Sequence, residues 1–356
     1  MERRDVLAAR LANQRLTGPP AGSPEQVVGE LLAVQSQDAA LARAMIAYRI
    51  AAPVDEVDAA VADGRLVRTH ILRPTWHYVA AADLRWLLDL TTTPLSQTMG
   101  ARERHLGIDD ALVDRALAVF TERLAGRRYA VRRDLAEALT EAGVLDRGHP
   151  EFNGQVGHLI GFAEYRAVVC SAPVDSPNHH YALVDEVAPP QDPLPREAAV
   201  VMLVERFVTG HGPVSVKELQ RWTRLRLDEI RPALAALGDR LTSRTVEGVE
   251  LWSAAGLPET RPRRAWLLSI FDEAFLTYSL LNFPRSGGHP SGDTRYRFAE
   301  AGGGVVLCDL RDVGLWQRRV SRGSTDLRLT LDPDLSRGEL AAIDEAAELL
   351  RATIRA

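Results

Sequence analysis

The sequence predicts an α+β protein, mainly helical, in which three tandem winged helix-turn-helix units precede a C-terminal β-rich segment and a terminal helix. Amphipathic helix patterns followed by paired strand patterns recur three times along the 356 residues, which is the order of helices and wing in such a unit. After residue 258, strand-like runs predominate until one last long helical pattern. The predicted divisions are 1–95, 96–192 and 193–258 for the three units and 259–356 for the C-terminal region.

In the first unit, helices and a hairpin are predicted from periodicity and from capping residues such as Ser23 before Pro24. The helices are Asp5–Leu16, Pro24–Val34, Ala39–Tyr48 and Val54–Ala62, and the strands are Leu66–Ile71 and Thr75–Val79. The second unit has predicted helices Asp110–Ala125, Arg133–Glu141 and Asn153–Tyr165, and strands Tyr129–Val131, Ala167–Ser171 and Tyr181–Glu186. The proline-rich stretch Pro189–Pro195 predicts a linker after this unit.

The third unit repeats the pattern, and the C-terminal region does not. The predicted elements of the third unit are helices Arg196–Thr209, Val216–Arg221 and Leu227–Leu237 and strands Leu241–Val246 and Val249–Ser253. Beyond it, strands Ala265–Phe271, Gly304–Leu310 and Leu327–Leu331 and helix Arg337–Ile354 are predicted, with a loop at Pro284–Tyr296. Three helix-plus-wing units in series favour DNA binding over a protein-binding or structural module.

Composition is that of an ordinary globular protein, with 46% hydrophobic and 26% charged residues. No apolar stretch is long enough to span a membrane, and the charged start Met1–Arg4 is unlike a secretory signal. Cys170 and Cys308 lack metal-type spacing. We therefore expect a cytoplasmic, nucleoid-associated protein without metal or cofactor. The net charge of −5 means that any DNA-binding face must be local.

The stretch Gln35-Ser36-Gln37-Asp38 is the leading candidate for the chemistry. It falls between two predicted helices, and Asp38 is suited to cap the second. In a helix, residues two apart point about 200° from each other, whereas in an extended backbone they face the same side. Gln35 and Gln37 could then converge on one water or one sugar. The alternative is that both amides only satisfy a buried turn.

The first predicted hairpin offers the basic candidates Arg68, His70, Arg73 and His77. Strand alternation places Arg68 and His70 on one face and Thr75 and His77 on another. The arginines could hold DNA phosphates while one of the histidines lies beside the bound DNA. Alternatively, backbone groups satisfy the histidines. Trp76 is expected to be a core residue.

Local arginine clusters are the other candidates for phosphate contact, although a cluster of this kind is more often a solvated face. The clusters are Arg127, Arg128, Arg132 and Arg133; Arg261, Arg263 and Arg264; and Arg318, Arg319 and Arg322. Asp272 and Glu273 are expected on a strand, pointing to opposite faces in structural roles. His179 and His180 lack a third ligand at suitable spacing, so no metal site is predicted there.

Five motifs, in this order and spacing, resemble the AlkZ and YcaQ (AlkX) family of winged-helix DNA glycosylases. They are Val34-Gln35-Ser36-Gln37-Asp38; Arg68-Thr69-His70-Ile71-Leu72-Arg73-Pro74-Thr75-Trp76-His77; His211-Gly212-Pro213 with Trp222; Phe271-Asp272-Glu273 with Tyr278; and Gly314-Leu315-Trp316-Gln317-Arg318-Arg319. Two positions depart from the family pattern. Ser36 replaces an apolar residue, and Ser269 stands where relatives commonly have proline.

The resemblance implies a C-shaped DNA channel formed by the winged helices, and excision of alkylated purines. By position, Gln35 and Gln37 match the family's two catalytic glutamines. The expected partner is double-stranded DNA carrying alkylated purines, bound by a monomer without a protein partner. The alternative is a non-catalytic winged-helix regulator or damage-recognition module, although no coiled coil or effector domain is evident.

The alkylated purines of this family's reaction are cationic, so they leave without protonation, and two neutral amides could suffice as a water-positioning pair. Lysine is nearly absent. Because a glycosylase that also cleaves the strand attacks the sugar with an amine, only Lys217 or the N-terminus could serve. The sequence therefore predicts a monofunctional hydrolase for which uncharged lesions are poor substrates.

Overall fold

The computed structural model describes residues 1–73, 75–98, 100–174, 176, 178–188, 190–255, 265–285, 302–321 and 324–354. The chain forms two compact units. The first contains Met1–Asp58 and Val201–Ala356, and the second contains Ala59–Val200. The finer division into three winged-helix units and a C-terminal region remains a prediction.

The N-terminal segment is helical apart from one short strand. Its elements are α1 (Arg3–Asn13), α2 (Pro24–Glu30), β1 (Val34–Gln35), α3 (Ala39–Ile50) and α4 (Val54–Ala62), the last of which crosses into the second unit. Ser23 caps α2 by accepting a hydrogen bond from Gln26 N at 3.2 Å. The predicted helix Pro24–Val34 is too long, because Leu32 has a left-handed φ of 65° that ends the turn.

The second unit combines helices with two small groups of antiparallel strands. Its elements are β2 (Leu66–His70), β3 (Trp76–Ala80), α5 (Leu84–Thr98), α6 (Gly100–Leu106), α7 (Asp110–Leu124), β4 (Ala130–Val131), α8 (Arg132–Glu141), α9 (Phe152–Tyr165), β5 (Val169–Ser171), β6 (His180–Leu183) and α10 (Val184–Val187). Strand β6 lies between β4 and β5. The predicted strand Tyr181–Glu186 was wrong beyond Leu183, where the chain turns into α10.

The remaining elements return to the first unit. They are α11 (Arg196–His211), which begins in the second unit, α12 (Val216–Thr223), α13 (Leu227–Leu237), β7 (Leu241–Val246), β8 (Val249–Ala254), β9 (Ala265–Ser269), α14 (Glu273–Leu276), β10 (Gly303–Cys308), β11 (Arg311–Ser321), β12 (Ser324–Leu331) and α15 (Arg337–Thr353). The predicted loop Pro284–Tyr296 lies largely outside the described residues.

The core of the first unit is a four-stranded antiparallel sheet in the order β12-β11-β10-β9. Helix α15 packs on this sheet and on α3, and α3 also packs on β9. Every residue of β9 is buried, as expected for a strand covered by helices. Strand β9 is therefore part of the hydrophobic core of the first unit.

Strand β11 is the longest of the strands that were not predicted from the sequence. Its end carries arginines, and Gly314 interrupts the apolar run, so local pattern did not indicate a strand. The structure pairs it with β10 on one side and β12 on the other. A Cβ at Gly314 would lie 2.5 Å from Thr330 O, so close strand approach requires glycine there.

A buried ion pair links α3 to the turn before α14. Arg49 and Asp272 are each 1% exposed at the side chain, and both guanidinium Nη atoms donate to the carboxylate at 2.9 Å. Arg49 also donates to Gln14 O at 2.8 Å and Met45 O at 2.9 Å. Because its donors are satisfied in this way, burial of the charge is tolerated.

Asp272→Asn should destabilise the protein strongly, because it leaves the buried Arg49 charge uncompensated while an asparagine can still cap α14. We expect the free energy of unfolding to fall by about 3–5 kcal/mol, measured by urea denaturation. Glu348→Gln is the control, because its pair with Arg351 has a 75% exposed glutamate side chain and exposed pairs contribute little. Equal effects of the two substitutions would contradict the buried-pair interpretation.

Candidate active site

The Gln35–Asp38 segment lies in open backbone between α2 and α3, as the sequence analysis predicted. Gln35 belongs to β1, and Asp38 caps α3 by accepting a hydrogen bond from Leu41 N at 3.0 Å. Gln35 is 9% exposed and Ser36 is 0% exposed, whereas Gln37 is exposed. Ser36 is therefore buried where the family pattern has an apolar residue, and the two glutamines differ in their access to solvent.

Behind Gln35 lies Glu273, whose side chain is 1% exposed. The Gln35 backbone N–H donates to Glu273 Oε1 at 3.4 Å. Trp222 Nε1 donates to Oε2 at 2.7 Å, and Thr277 Oγ1 donates to the same oxygen at 3.0 Å. His211 Nε2 lies 3.7 Å from Oε2. One carboxylate therefore connects the segment containing Gln35 to α12, α14 and the end of α11.

The predicted placement of Asp272 and Glu273 on a strand was wrong. Asp272 and Glu273 do not lie on a strand: Asp272 caps α14, and its Oδ1 accepts from Ala274 N at 2.9 Å. Ser269, the departure from proline, accepts from Phe271 N at 3.2 Å within the same turn. The available signal was the apolar sequence on both sides of the acidic pair, because buried carboxylates require partners.

Arg318 on β11 reaches the same segment. Its Nη2 lies 3.4 Å from Asp38 Oδ2, and the two side chains are 20% and 23% exposed. Arg319, the next residue on the strand, is exposed. The structure therefore brings Arg318 beside the capped start of α3, while Arg319 remains a solvated arginine. The predicted clusters around Arg261 and at Arg322 lie outside the described residues.

In the second unit, β2 and β3 place Arg68, His70 and Trp76 on one face of the hairpin. Arg68 pairs with Tyr78, and His70 pairs with Trp76, across the two strands. The Arg68 guanidinium lies 4.2 Å from the Trp76 ring centroid, and its Nη1 is 3.1 Å from His179 Nδ1. Trp76 was predicted to be core. It is half-buried, packs against the hydrophobic core of the second unit and also supports the Arg68 cation.

His70 contacts a carboxylate that is fully buried. His70 Nδ1 is 2.6 Å from Glu164 Oε2, and the side chains are 19% and 0% exposed. Burial raises the pKa of Glu164, and the hydrogen bond from His70 opposes that shift. The His70 ring also lies 4.1 Å from the Trp76 ring. His70 is thus held by a carboxylate on one side and an indole on the other.

His77 and Arg73 interact with each other at the hairpin turn. His77 is 0% exposed, and its Nδ1 is 2.9 Å from Thr75 O, while its Nε2 is 3.0 Å from Arg73 Nη2. The simplest assignment is that Nδ1–H donates to the backbone and Nε2 accepts from Arg73. The alternative prediction, that backbone groups satisfy a histidine, is thus met at His77.

Arg132 and Arg133 begin α8 and are both exposed. Arg132 Nη2 donates to Asn153 O at 2.5 Å, and Arg133 Nη2 is 3.3 Å from Asp134 Oδ1. They lie at the surface of the second unit, as a phosphate-contacting pair would require.

Among the described residues, the acidic and sulfur side chains of Cys308, Asp309 and Glu339 are the one group close enough to share a metal ion. Glu339 is already hydrogen-bonded to Arg311, and none of the predicted site residues belongs to this group. Within the described part of the chain, no helix is both long and apolar enough to cross a bilayer.

Comparison with known proteins agrees with this arrangement of fold and motifs. The family model for AlkZ-like DNA glycosylases matches residues 28–353, and the chain therefore belongs to the AlkZ-like family of DNA glycosylases. The resemblance predicted from the five motifs is confirmed. The enzyme class, DNA glycosylase, follows from this membership, and the alternative of a non-catalytic regulator is set aside.

Two comparisons with Streptomyces sahachiroi proteins cover nearly the whole chain. An interstrand DNA cross-link repair glycosylase from that organism is 27% identical over 369 residues, covering 98% of this chain and 96% of the relative. The solved structure of Streptomyces sahachiroi DNA glycosylase AlkZ matches with a TM-score of 0.76 at 22% identity, covering 99% of this chain and 96% of that one. The structural match supports the fold.

The protonation state of His179 can be tested directly. Burial first, and then the nearby Arg68 charge, lower the pKa of His179 to about 3. The unfolded chain therefore binds an extra proton between about pH 6.5 and the folded value, and stability contributed by neutral His179 is lost as pH falls through that window. We expect His179→Gln, which cannot titrate, to reduce the slope of unfolding free energy against pH between 6 and 4. An unchanged slope would contradict the depressed pKa.

Proposed function

We propose that the protein is a monofunctional DNA glycosylase that hydrolyses the N-glycosidic bond of cationic alkylated purines in duplex DNA. Its substrates are N7-alkylguanine and N3-alkyladenine, and its product is an intact abasic site. The observation that carries this proposal is the placement of Gln35 and Gln37 in non-helical backbone at the capped start of α3. Gln35 is buried, and Gln37 is exposed to solvent.

In the proposed reaction, water adds to the anomeric carbon C1′, and the bonding electrons of C1′–N9 leave with the purine. Alkylation has already made the base cationic, so its departure neutralises it and requires no protonation by the enzyme. The proton released from the attacking water passes to solvent. The enzyme's task is therefore to position water and stabilise a cationic sugar, and not to act as a strong acid.

Glutamine side chains are suited to that limited task. Their carbonyl oxygens can accept from the attacking water and place a negative dipole near the sugar, and they do so without titrating. The buried Gln35 and the exposed Gln37 would orient the water together. A retaining or inverting glycosidase needs a carboxylate pair instead, because its leaving group requires protonation.

Bulky adducts and interstrand crosslinks are included in the proposed substrate range. The support is the 27% identical relative that is named an interstrand DNA cross-link repair glycosylase. A crosslink through N7 of guanine carries the same cationic leaving group, so unhooking it needs no additional chemistry at the sugar.

Contacts to duplex DNA are proposed for the basic residues that the sequence analysis selected, with the C-shaped channel of three winged-helix units as their setting. They are Arg68, His70, Arg73, His77, Arg132, Arg133, Arg318 and Arg319. Exposed Arg132, Arg133 and Arg319 suit phosphates directly. Buried His77 would act by holding Arg73. We further propose a cytoplasmic, nucleoid-associated monomer that acts without metal, cofactor or protein partner.

One prediction of this proposal concerns the side-chain amides of Gln35 and Gln37. Gln35→Ala and Gln37→Ala should each slow release of 7-methylguanine from methylated duplex DNA by about 10- to 1000-fold, because a water-positioning contact is lost. Single-turnover kinetics measure this step directly, and DNA affinity should stay nearly unchanged. The matched control is Gln220→Ala, which changes a glutamine on α12 with no part in the proposed site.

Two results would contradict the glutamine mechanism. Alanine variants that excise at the wild-type rate would remove both amides from the chemistry. Equal losses in affinity and in rate would instead indicate a binding role. If wild type releases no 7-methylguanine, the same assay is repeated with a bulky N7 adduct, and failure there as well would overturn the proposed substrate class.

Another prediction of this proposal concerns the abasic product. Because an amine nucleophile is scarce, borohydride should trap no covalent complex with abasic DNA, and the strand should remain intact until alkali is added. Lys217→Ala should leave the excision rate unchanged. A trapped complex that survives both Lys217→Ala and blocking of the N-terminal amine would show that the protein is not a monofunctional hydrolase.

A further inference from the structure

The carboxylate of Glu273 faces hydrogen-bond donors from three segments of the first unit. The Gln35 N–H donates to Oε1, whereas Trp222 Nε1 and Thr277 Oγ1 donate to Oε2. A carboxylate only accepts, and its two oxygens together offer about four lone-pair sites. All three of these partners are donors, and they therefore suit a carboxylate, which can only accept.

A glutamine at position 273 could not satisfy the same set. Its single carbonyl oxygen can accept either from Gln35 or from Trp222 and Thr277, and its NH₂ group must then face the remaining donors. Trp222 Nε1–H is donor-only and makes the shorter bond, at 2.7 Å, so the oxygen should remain with Trp222. The NH₂ group would then face the Gln35 N–H, and an attraction would become a donor–donor repulsion.

The position of Glu273 is itself fixed by the fold. It begins α14 directly after Asp272, whose carboxylate is held by Arg49 from α3 at 2.9 Å. Helix α3 is also the helix that Asp38 caps, and Asp38 is the last residue of the Gln35–Asp38 segment. Rigid contacts therefore reach the segment from both sides, through Glu273 to Gln35 and through Arg49 to α3.

We infer that Glu273 is a positioning residue that holds the Gln35 backbone, and thereby the Gln35 amide, in the geometry for catalysis. The inference rests on the proposed function of Gln35. Glu273 contacts the backbone of Gln35 and not the substrate, so its effect should appear in the chemical step. Misplacement of a catalytic group by about 1 Å can reduce a rate about 100-fold.

Glu273→Gln should therefore lower the single-turnover rate of 7-methylguanine release by about 10- to 100-fold. DNA affinity, measured by anisotropy with the same duplex, should change by less than about threefold. Glu273→Asp is the second variant: it keeps the charge, but its shorter side chain cannot span from Trp222 to Gln35, so the same division between rate and affinity is expected.

The matched control is Glu218→Gln, another buried glutamate in the same unit. Glu218 is 0% exposed, and it accepts from Ser215 N, Ser279 N and Leu280 N at 2.9 Å each. This substitution should cost stability in the same way without touching Gln35, and the rate measured below its unfolding temperature should stay within about threefold of wild type. A rate loss equal to that of Glu273→Gln would reduce the role of Glu273 to general stability.

A spectroscopic signature tests the contact itself. In protein labelled with ¹⁵N-glutamine, the backbone amide resonance of Gln35 is the one that disappears in Gln35→Ala. Hydrogen bonding to a charged acceptor shifts an amide proton downfield, so this resonance should move upfield in Glu273→Gln and not in Glu218→Gln. An unmoved resonance would overturn the inference even if the rate falls.

The two proposals fail in different ways. If Gln35→Ala leaves the rate unchanged, the proposed function fails, whatever Glu273 does. If Gln35→Ala is slow and both Glu273 variants excise at the wild-type rate, the glutamine mechanism stands and the positioning role of Glu273 is wrong.

Discussion

Two adjacent buried carboxylates at the start of α14 are the constraint on which the candidate site depends. Asp272 binds Arg49 with two hydrogen bonds of 2.9 Å, and Glu273 binds Trp222, Thr277 and the Gln35 backbone. Burying such charges is costly unless each has its partners. The segments that supply the partners are therefore held in one arrangement, and the glutamine segment is one of them.

The same constraint holds in place the short strand for which we propose a catalytic role. Strand β1 contains two residues, too few to be rigid by strand pairing alone. Its N–H contact with Glu273 and the Asp38 cap on α3 fix the segment at its two ends. Arg318 then reaches Asp38 from β11. The rigidity of the site thus comes from the C-terminal sheet and its helices, which lie far away in sequence.

Much of the fold could be predicted from sequence because the signals were local. Helices such as α13, and the β7–β8 hairpin around Glu247 and Gly248, follow periodicity and turn chemistry. Strand β11 could not be predicted in this way, because its pairing on both sides comes from sequence-distant strands. The end of α2 depends on one left-handed residue, Leu32, which no propensity favours.

In the candidate site, too, local signals could be predicted from the sequence, and contacts between distant residues could not. Gln35 and Gln37 were identified from their place between two helices and from the family resemblance, and the structure places them in non-helical backbone. Glu273 was assigned a merely structural role, because its partners are up to 238 residues away in sequence. The hairpin arginines and histidines remain predicted DNA contacts. Their partners, among them Glu164 and His179, came from outside the hairpin.

The central claim is that neutral amides suffice because the leaving base is already cationic. The most direct test compares single-turnover release of 7-methylguanine and of hypoxanthine from duplexes of the same sequence. General acid catalysis contributes about 10²- to 10⁴-fold where a base must be protonated, so without it we expect hypoxanthine release to be slower by at least that range. Comparable rates for the two bases would contradict the account, because the enzyme would then have to protonate its leaving group.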